Sequence, residues 1–80
     1  MISPLIIKLQ NCQDKSKLES IYKDILIEYE NLNFPNQEFK SKSKYLVTDS
    51  IEVFIKEFDS DMLRESNKRT LESLKLFDNL

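Results

Sequence analysis

Residues 16–32 read SKLESIYKDILIEYENL, and this stretch decides the fold class. Leu18, Ile21, Tyr22, Ile25, Tyr29 and Leu32 recur at spacings of three, one, three, four and three. That is one apolar stripe on a helix of about 3.6 residues per turn. Lys23, Asp24, Glu28 and Glu30 fall on the other faces, and Leu26 and Ile27 widen the apolar side. The pattern predicts a central helix over 16–32. Ser16 and Glu19 are spaced as a capping box, in which each side chain reaches a backbone N–H of the other residue, and Asp14 competes for the same role.

Working outward, Ser3-Pro4 is a hydroxyl N-cap followed by proline at the first helical position. With Leu5, Leu9 and Cys12 on one stripe, it predicts a short helix over 4–12. Downstream, Asn31–Asn36 is punctuation: it carries three Asn and Pro35, which disfavours a helical Phe34. A third helix is predicted to start between Pro35 and Ser41 and run to Phe58. Its stripe is Phe39, Ser43, Val47, Ile51, Phe54 and Phe58, with Leu46 and Ile55 beside it. Lys40, Lys42 and Lys44 oppose the macrodipole at its start. The β-branched residues Val47, Thr48, Ile51, Val53 and Ile55 make a strand the runner-up, but Asp49, Glu52 and Lys56 break the alternation. Asp59-Ser60-Asp61 is rich in cap residues and predicts a fourth helix over 60–77, with Leu63, Thr70, Leu71, Leu74 and Phe77 as its stripe. Asn67 interrupts that stripe, and Ser66 is an alternative cap for a shorter helix. The expected fold is all-α, an antiparallel four-helix bundle forming one domain over residues 1–80. The expected core is Leu5, Leu9, Leu18, Ile21, Tyr22, Ile25, Tyr29, Phe39, Val47, Ile51, Phe54, Phe58, Leu71, Leu74 and Phe77.

Composition narrows the chemistry. The 80 residues include no glycine, no histidine, no tryptophan and a single cysteine. Without glycine there is no phosphate-cradling Gly-rich loop. Without histidine there is no Ser-His-Asp or Cys-His catalysis and no His-based metal site. Asp59 and Asp61 lack the glycine and terminal glutamate of a calcium loop and read as a cap cluster. Catalytic residues, metal ligands and cofactors are therefore all expected to be none. Cys12 falls in the apolar stripe of the first helix and reads as a small core residue. The N-terminus lacks a basic region and a small-residue cleavage site, so no signal peptide is expected, and the expected compartment is the cytoplasm. With neither glycine nor alanine, helix ends must rely on Asn, Pro and water, and helices must pack through Leu, Ile and Phe.

The surface offers a few candidate contacts. Lys40, Lys44, Arg64, Lys68 and Arg69 form basic stretches, and Lys40/Lys44 and Arg64/Lys68 are like-charge i,i+4 pairs that need partners. Tyr45 lies off its helix stripe and is available for contact. A net charge of −2 disfavours nucleic acid as a partner. Ile6, Ile7, Leu26, Ile27 and Leu76 are an apolar remainder available for a homodimer.

The order of a short helix, a long helix ending in Leu32-Asn33-Phe34-Pro35, a second long helix and a Leu-rich final helix (Leu71-Glu72-Ser73-Leu74-Lys75-Leu76-Phe77) resembles the enterocin A-type immunity proteins. That family protects producers of pediocin-like bacteriocins. The resemblance implies an antiparallel four-helix bundle and a non-enzymatic, cytosolic role. The implied partner is the permease of the mannose phosphotransferase system once a bacteriocin engages it, met at the inner face of the membrane with peripheral association. In the family the C-terminal half is tied to which bacteriocin is resisted. Here that half is Tyr45–Leu80, and the contacts it implies add Phe77 and Leu80 to Arg64, Lys68 and Arg69. A small regulatory or adaptor protein, binding protein or nucleic acid through the basic faces, is the alternative.

Overall fold

Four α-helices account for most of the chain: α1 Ser3–Gln10, α2 Leu18–Glu30, α3 Gln37–Lys56 and α4 Asp61–Glu72. They come from a computed structural model that describes residues 1–80. A 3₁₀ turn, Lys15–Lys17, precedes α2, and a 3₁₀ segment, Ser73–Asn79, follows α4. The fold is all-α, with 79% of residues helical and no strand. α1 packs on α2, α3 packs on α4, and the C-terminal segment folds back onto α1.

The stripe of α2 is as its spacing predicts: Leu18, Ile21, Ile25 and Tyr29 are buried, and Tyr22 is half-buried. The capping box does not form. Asp14 accepts from both the N–H and the hydroxyl of Ser16, at 3.0 and 2.6 Å, and so wins the competition. An ionised carboxylate is the stronger acceptor, and with Ser16 captured the chain makes a 3₁₀ turn before α2 begins at Leu18. The hydroxyl bond first, then the backbone bond, hold the Asp14 carboxyl below its usual range.

α3 resolves the conflict at its own start. Asn36 caps it by accepting from the Phe39 N–H at 2.7 Å. Lys40 and Lys44 reach back to the Glu30 carboxylate at 2.7 and 2.9 Å, and Lys42 pairs with Glu38 at 2.9 Å. The cations that oppose the α3 dipole are thus neutralised by carboxylates of α2 and of the first turn. The β-branched run from Val47 to Ile55 is helical throughout.

Ser60 caps α4 by accepting from Leu63 N–H. The predicted helix over 60–77 stops at Glu72 and tightens to 3₁₀. No residue has a positive φ. Asn11 and Asn31 end α1 and α2 in right-handed geometry, closing them with backbone bonds to residues three and four back, as a chain without glycine must.

Thirteen apolar residues form one buried cluster. Three expectations about it are corrected. Ile2 and Ile6 are fully buried, so the inward stripe of α1 is Ile2, Ile6 and Leu9, while Leu5 is only half-buried. Phe39 is 40% exposed because it lies to one side of the Val47–Ile51–Phe54 stripe of α3 rather than on it. Phe77 and Tyr22 pack against the cluster from its edge. Cys12 lies beyond the end of α1, half-buried, with its thiol donating to the Asp14 carbonyl at 3.2 Å.

What closes the fold is a clasp between its two ends. The Asp78 carboxylate accepts from the backbone N–H of Ile2 at 2.7 Å and of Ser3 at 2.9 Å. These are among the orphan donors that open α1, so a residue 75 positions away does the capping predicted for the Ser3 hydroxyl. That hydroxyl instead donates to the Lys75 carbonyl.

Candidate functional site

Two of the predicted contact residues meet in one place. Phe77 and Leu80 line a groove of about 310 Å³ together with Phe39, Leu46, Ser73 and Leu76. One wall is α3, where Phe39 and Leu46 are seven residues apart and share a face. The other wall is the C-terminal segment. Leu76 is 67% exposed on the rim, and Tyr45, 75% exposed, follows along the outer side of α3.

The floor of the groove is fixed by aromatic packing. Phe77 meets Tyr29 edge-on at 5.8 Å between ring centroids, Tyr29 meets Phe34 at 4.8 Å, and Phe34 meets Phe39 at 6.3 Å. The Tyr29 hydroxyl donates to the Lys40 carbonyl at 2.7 Å, tying this chain of rings to α3. Offset and edge-on pairs of this kind add about 0.5–1.5 kcal/mol each beyond the area they bury. The Asp78 clasp holds the end of the second wall against α1. An apolar groove whose walls are packed on rings behind them can take an apolar side chain.

The predicted cations are placed elsewhere and are mostly spoken for. Lys40 and Lys44 share Glu30, whose carboxyl is held below its usual range by the hydrogen bonds from those two ammonium groups. Lys40 also lies over the Phe34 ring at 5.6 Å. Arg64 covers the Phe58 ring at 5.0 Å, donates to the Phe58 carbonyl at 2.9 Å and pairs with Asp61 at 2.8 Å. It therefore closes the α3–α4 corner. Lys68 pairs with Glu65 at 3.1 Å. Of the predicted cations, Arg69 alone has no ionic partner.

Arg64 and Lys68 face a second hollow, of about 470 Å³, with Gln10, Asn11, Cys12, Gln13 and Glu65. It is polar, and the cations on it already hold carboxylates. Its inner edge is the buried Gln10 amide, which donates to the Lys68 carbonyl at 2.9 Å and to Glu72 at 3.1 Å, joining α1 to α4.

The spacing puts Phe39 in the core with Leu46 beside its stripe and leaves Leu76 in the apolar remainder. The signal that joins them is the i,i+7 spacing of Phe39 and Leu46 on a face turned some way from the buried stripe. Nothing in the sequence spacing points to the opposite wall, because a 3₁₀ segment 27 or more residues away supplies it.

Compared with protein-family models, with curated proteins and with solved structures, the chain has no match. No helix is long and apolar enough to cross a membrane.

Proposed function

We propose that this chain is a non-enzymatic recognition protein of the bacteriocin-immunity kind. It is a cytoplasmic antiparallel four-helix bundle that protects the cell at the cytosolic face of a mannose permease engaged by a pediocin-like bacteriocin. The observation that carries the reading is the apolar groove, lined by Phe39 and by five residues of the C-terminal half, the half to which the family resemblance assigns specificity. Exposed apolar surface collected in one groove is what a protein-binding surface needs. The short links between helices support the bundle, since turns of a few residues reverse the chain. Pairing of Lys40, Lys44, Arg64 and Lys68 with the protein's own carboxylates weighs against the nucleic-acid alternative, which needs cations available to phosphates.

Expression in a bacteriocin-sensitive strain tests it. The chain should raise the dose of at least one pediocin-like peptide that the strain survives. Leu46→Glu, which places a charge in the groove and leaves the core alone, should abolish most of that gain. Protection against no such peptide overturns the reading.

A further inference from the structure

We infer that Ser73–Asn79 is a two-state strap. Docked, it is a 3₁₀ segment clasped to α1; released, it continues α4 as an α-helix, and the groove loses a wall. The inference concerns how the groove is built and does not depend on what the groove binds.

Local sequence and fold disagree over this segment. Ser73-Leu74-Lys75-Leu76-Phe77 contains neither glycine nor proline, and Leu74 and Phe77 continue the spacing of three from Leu71. Leu and Lys are good α-helix formers. The backbone does not break at the junction: Glu72 has φ −54° and ψ −38°, and Ser73 has φ −62° and ψ −25°. Yet all seven residues of Ser73–Asn79 are 3₁₀, a form with poorer hydrogen bonds whose runs seldom exceed three or four residues. What holds the segment in that form must come from other elements.

The contacts that do so are few. Leu74 is fully buried, and Phe77 meets the Tyr29 ring edge-on at 5.8 Å. Asp78 accepts from the N–H groups of Ile2 and Ser3, and the Ser3 hydroxyl donates to the Lys75 carbonyl at 3.3 Å. A residue advances by about 120° and about 2.0 Å in a 3₁₀-helix, against about 100° and about 1.5 Å in an α-helix. Counted from Ser73, the α form turns Leu74 by only about 20°, but Phe77 by about 80° and Asp78 by about 100°. It also leaves Asp78 about 2.5 Å short of its docked reach. Leu74 stays in the core as a pivot, while Phe77 leaves Tyr29 and Asp78 no longer faces the start of α1. The clasp and the α form therefore exclude each other, which distinguishes a strap with two arrangements from a fraying end.

Charge sets which arrangement wins. Docked, the Asp78 carboxylate lies at the positive end of the α1 dipole. At the end of an extended α4 it would lie at the negative end of that helix's dipole. The same charge favours the clasp and disfavours its alternative. Ser73, Leu76, Phe77 and Leu80 form the second wall of the groove, so the groove is complete only when the strap is docked.

Nuclear magnetic resonance of the full chain carrying Asp78→Lys tests the strap. A cation there opposes the α1 dipole and suits the end of an extended α4. Loss of a cap alone changes such a ratio of forms roughly 5- to 30-fold, and the reversed charge adds to that change. Wild type should show the Hα–HN (i,i+2) contacts of a 3₁₀-helix across the segment, and contacts between the Phe77 and Tyr29 rings. Asp78→Lys should lose the ring contacts and gain the Hα–HN (i,i+4) contact of an α-helix from Ser73 to Phe77. Asn79→Lys, which adds a cation one residue further on, should keep the wild-type pattern. Asp78→Asn should move the chemical shifts of the segment part of the way toward those of the α form, and it decides the matter if Asp78→Lys does not fold. A segment that becomes random coil or stays 3₁₀ on loss of the Asp78 charge, or that responds equally to Asn79→Lys, overturns the inference. Absence of protection in cells with the switch intact removes the immunity reading and leaves this one standing.

Discussion

Asp78 does the work of several residues. It sits in the last turn of the chain, yet its two carboxylate oxygens satisfy the first two donors of the opening helix. Burial acts to raise its pKa, but the bonds from Ser3 and Ile2 and the positive amino terminus outweigh burial and hold the carboxyl below its usual range. The geometry combines an N-cap with a negative charge at the positive end of a helix dipole. Asp78→Ala should therefore lower stability by about 1–2 kcal/mol. In a domain of this size that is a fall in melting temperature of roughly 5–15 °C. Asp78→Asn keeps an acceptor but loses the charge, and should fall between the two. Thermal melts followed by circular dichroism check the order. Equal melting of wild type and Asp78→Ala would mean that the clasp contributes nothing.

At the scale of elements, how much could be read from sequence depended on how local each cause was. The stripe of α2 was legible because burial of Leu18, Ile21, Ile25 and Tyr29 follows from spacing alone. The spacing bounds the α3 start between Pro35 and Ser41, and the cap is Asn36, the last of the Asn residues in the turn. Replacing it by Ala should cost about 1 kcal/mol, and Asp, which keeps the acceptor, should restore most of the loss. Urea unfolding with unchanged slope is the measurement, and a cost shared equally by Ala and Asp would show that the side-chain acceptor is not what caps α3. Causes that act across the chain were not legible. The like-charge pair Lys40/Lys44 is tolerated because Glu30 lies across the α2–α3 turn, and α1 turns Ile2 and Ile6 inward because the C-terminal segment packs on it. The candidate groove was half legible for the same reason. Phe77 and Leu80 stand in the C-terminal half that the resemblance marks, but their partners Phe39 and Leu46 are brought opposite them only when the chain end folds back over Tyr29.

At the scale of the molecule, the missing histidine shapes how stability depends on pH. With no histidine, no side chain has an ordinary pKa near 6.5, so stability should be almost level from about pH 5 to about pH 7. Both limbs outside that plateau have named sources. On the acid side, Asp14, Glu30, Glu72 and Asp78 are all held below their usual values of 3.8 or 4.5. The unfolded chain then takes up protons before the folded chain does. Their stabilisation is complete above the ordinary carboxylate values and is lost as pH falls through the lower folded ones. On the alkaline side the sign reverses. Tyr22 is pushed up to about 12, first by burial and then by the Glu52 carboxylate that its hydroxyl faces at 3.2 Å. The folded chain holds that proton longer, so its contribution is complete below pH 10 and disappears as pH rises toward 12. Melts from acid to alkali should trace a broad plateau with two falling edges. Asp78→Asn should flatten part of the acid edge without touching the alkaline one, and Tyr22→Phe should do the opposite. If both substitutions changed the two edges alike, the edges would reflect overall charge repulsion rather than these residues.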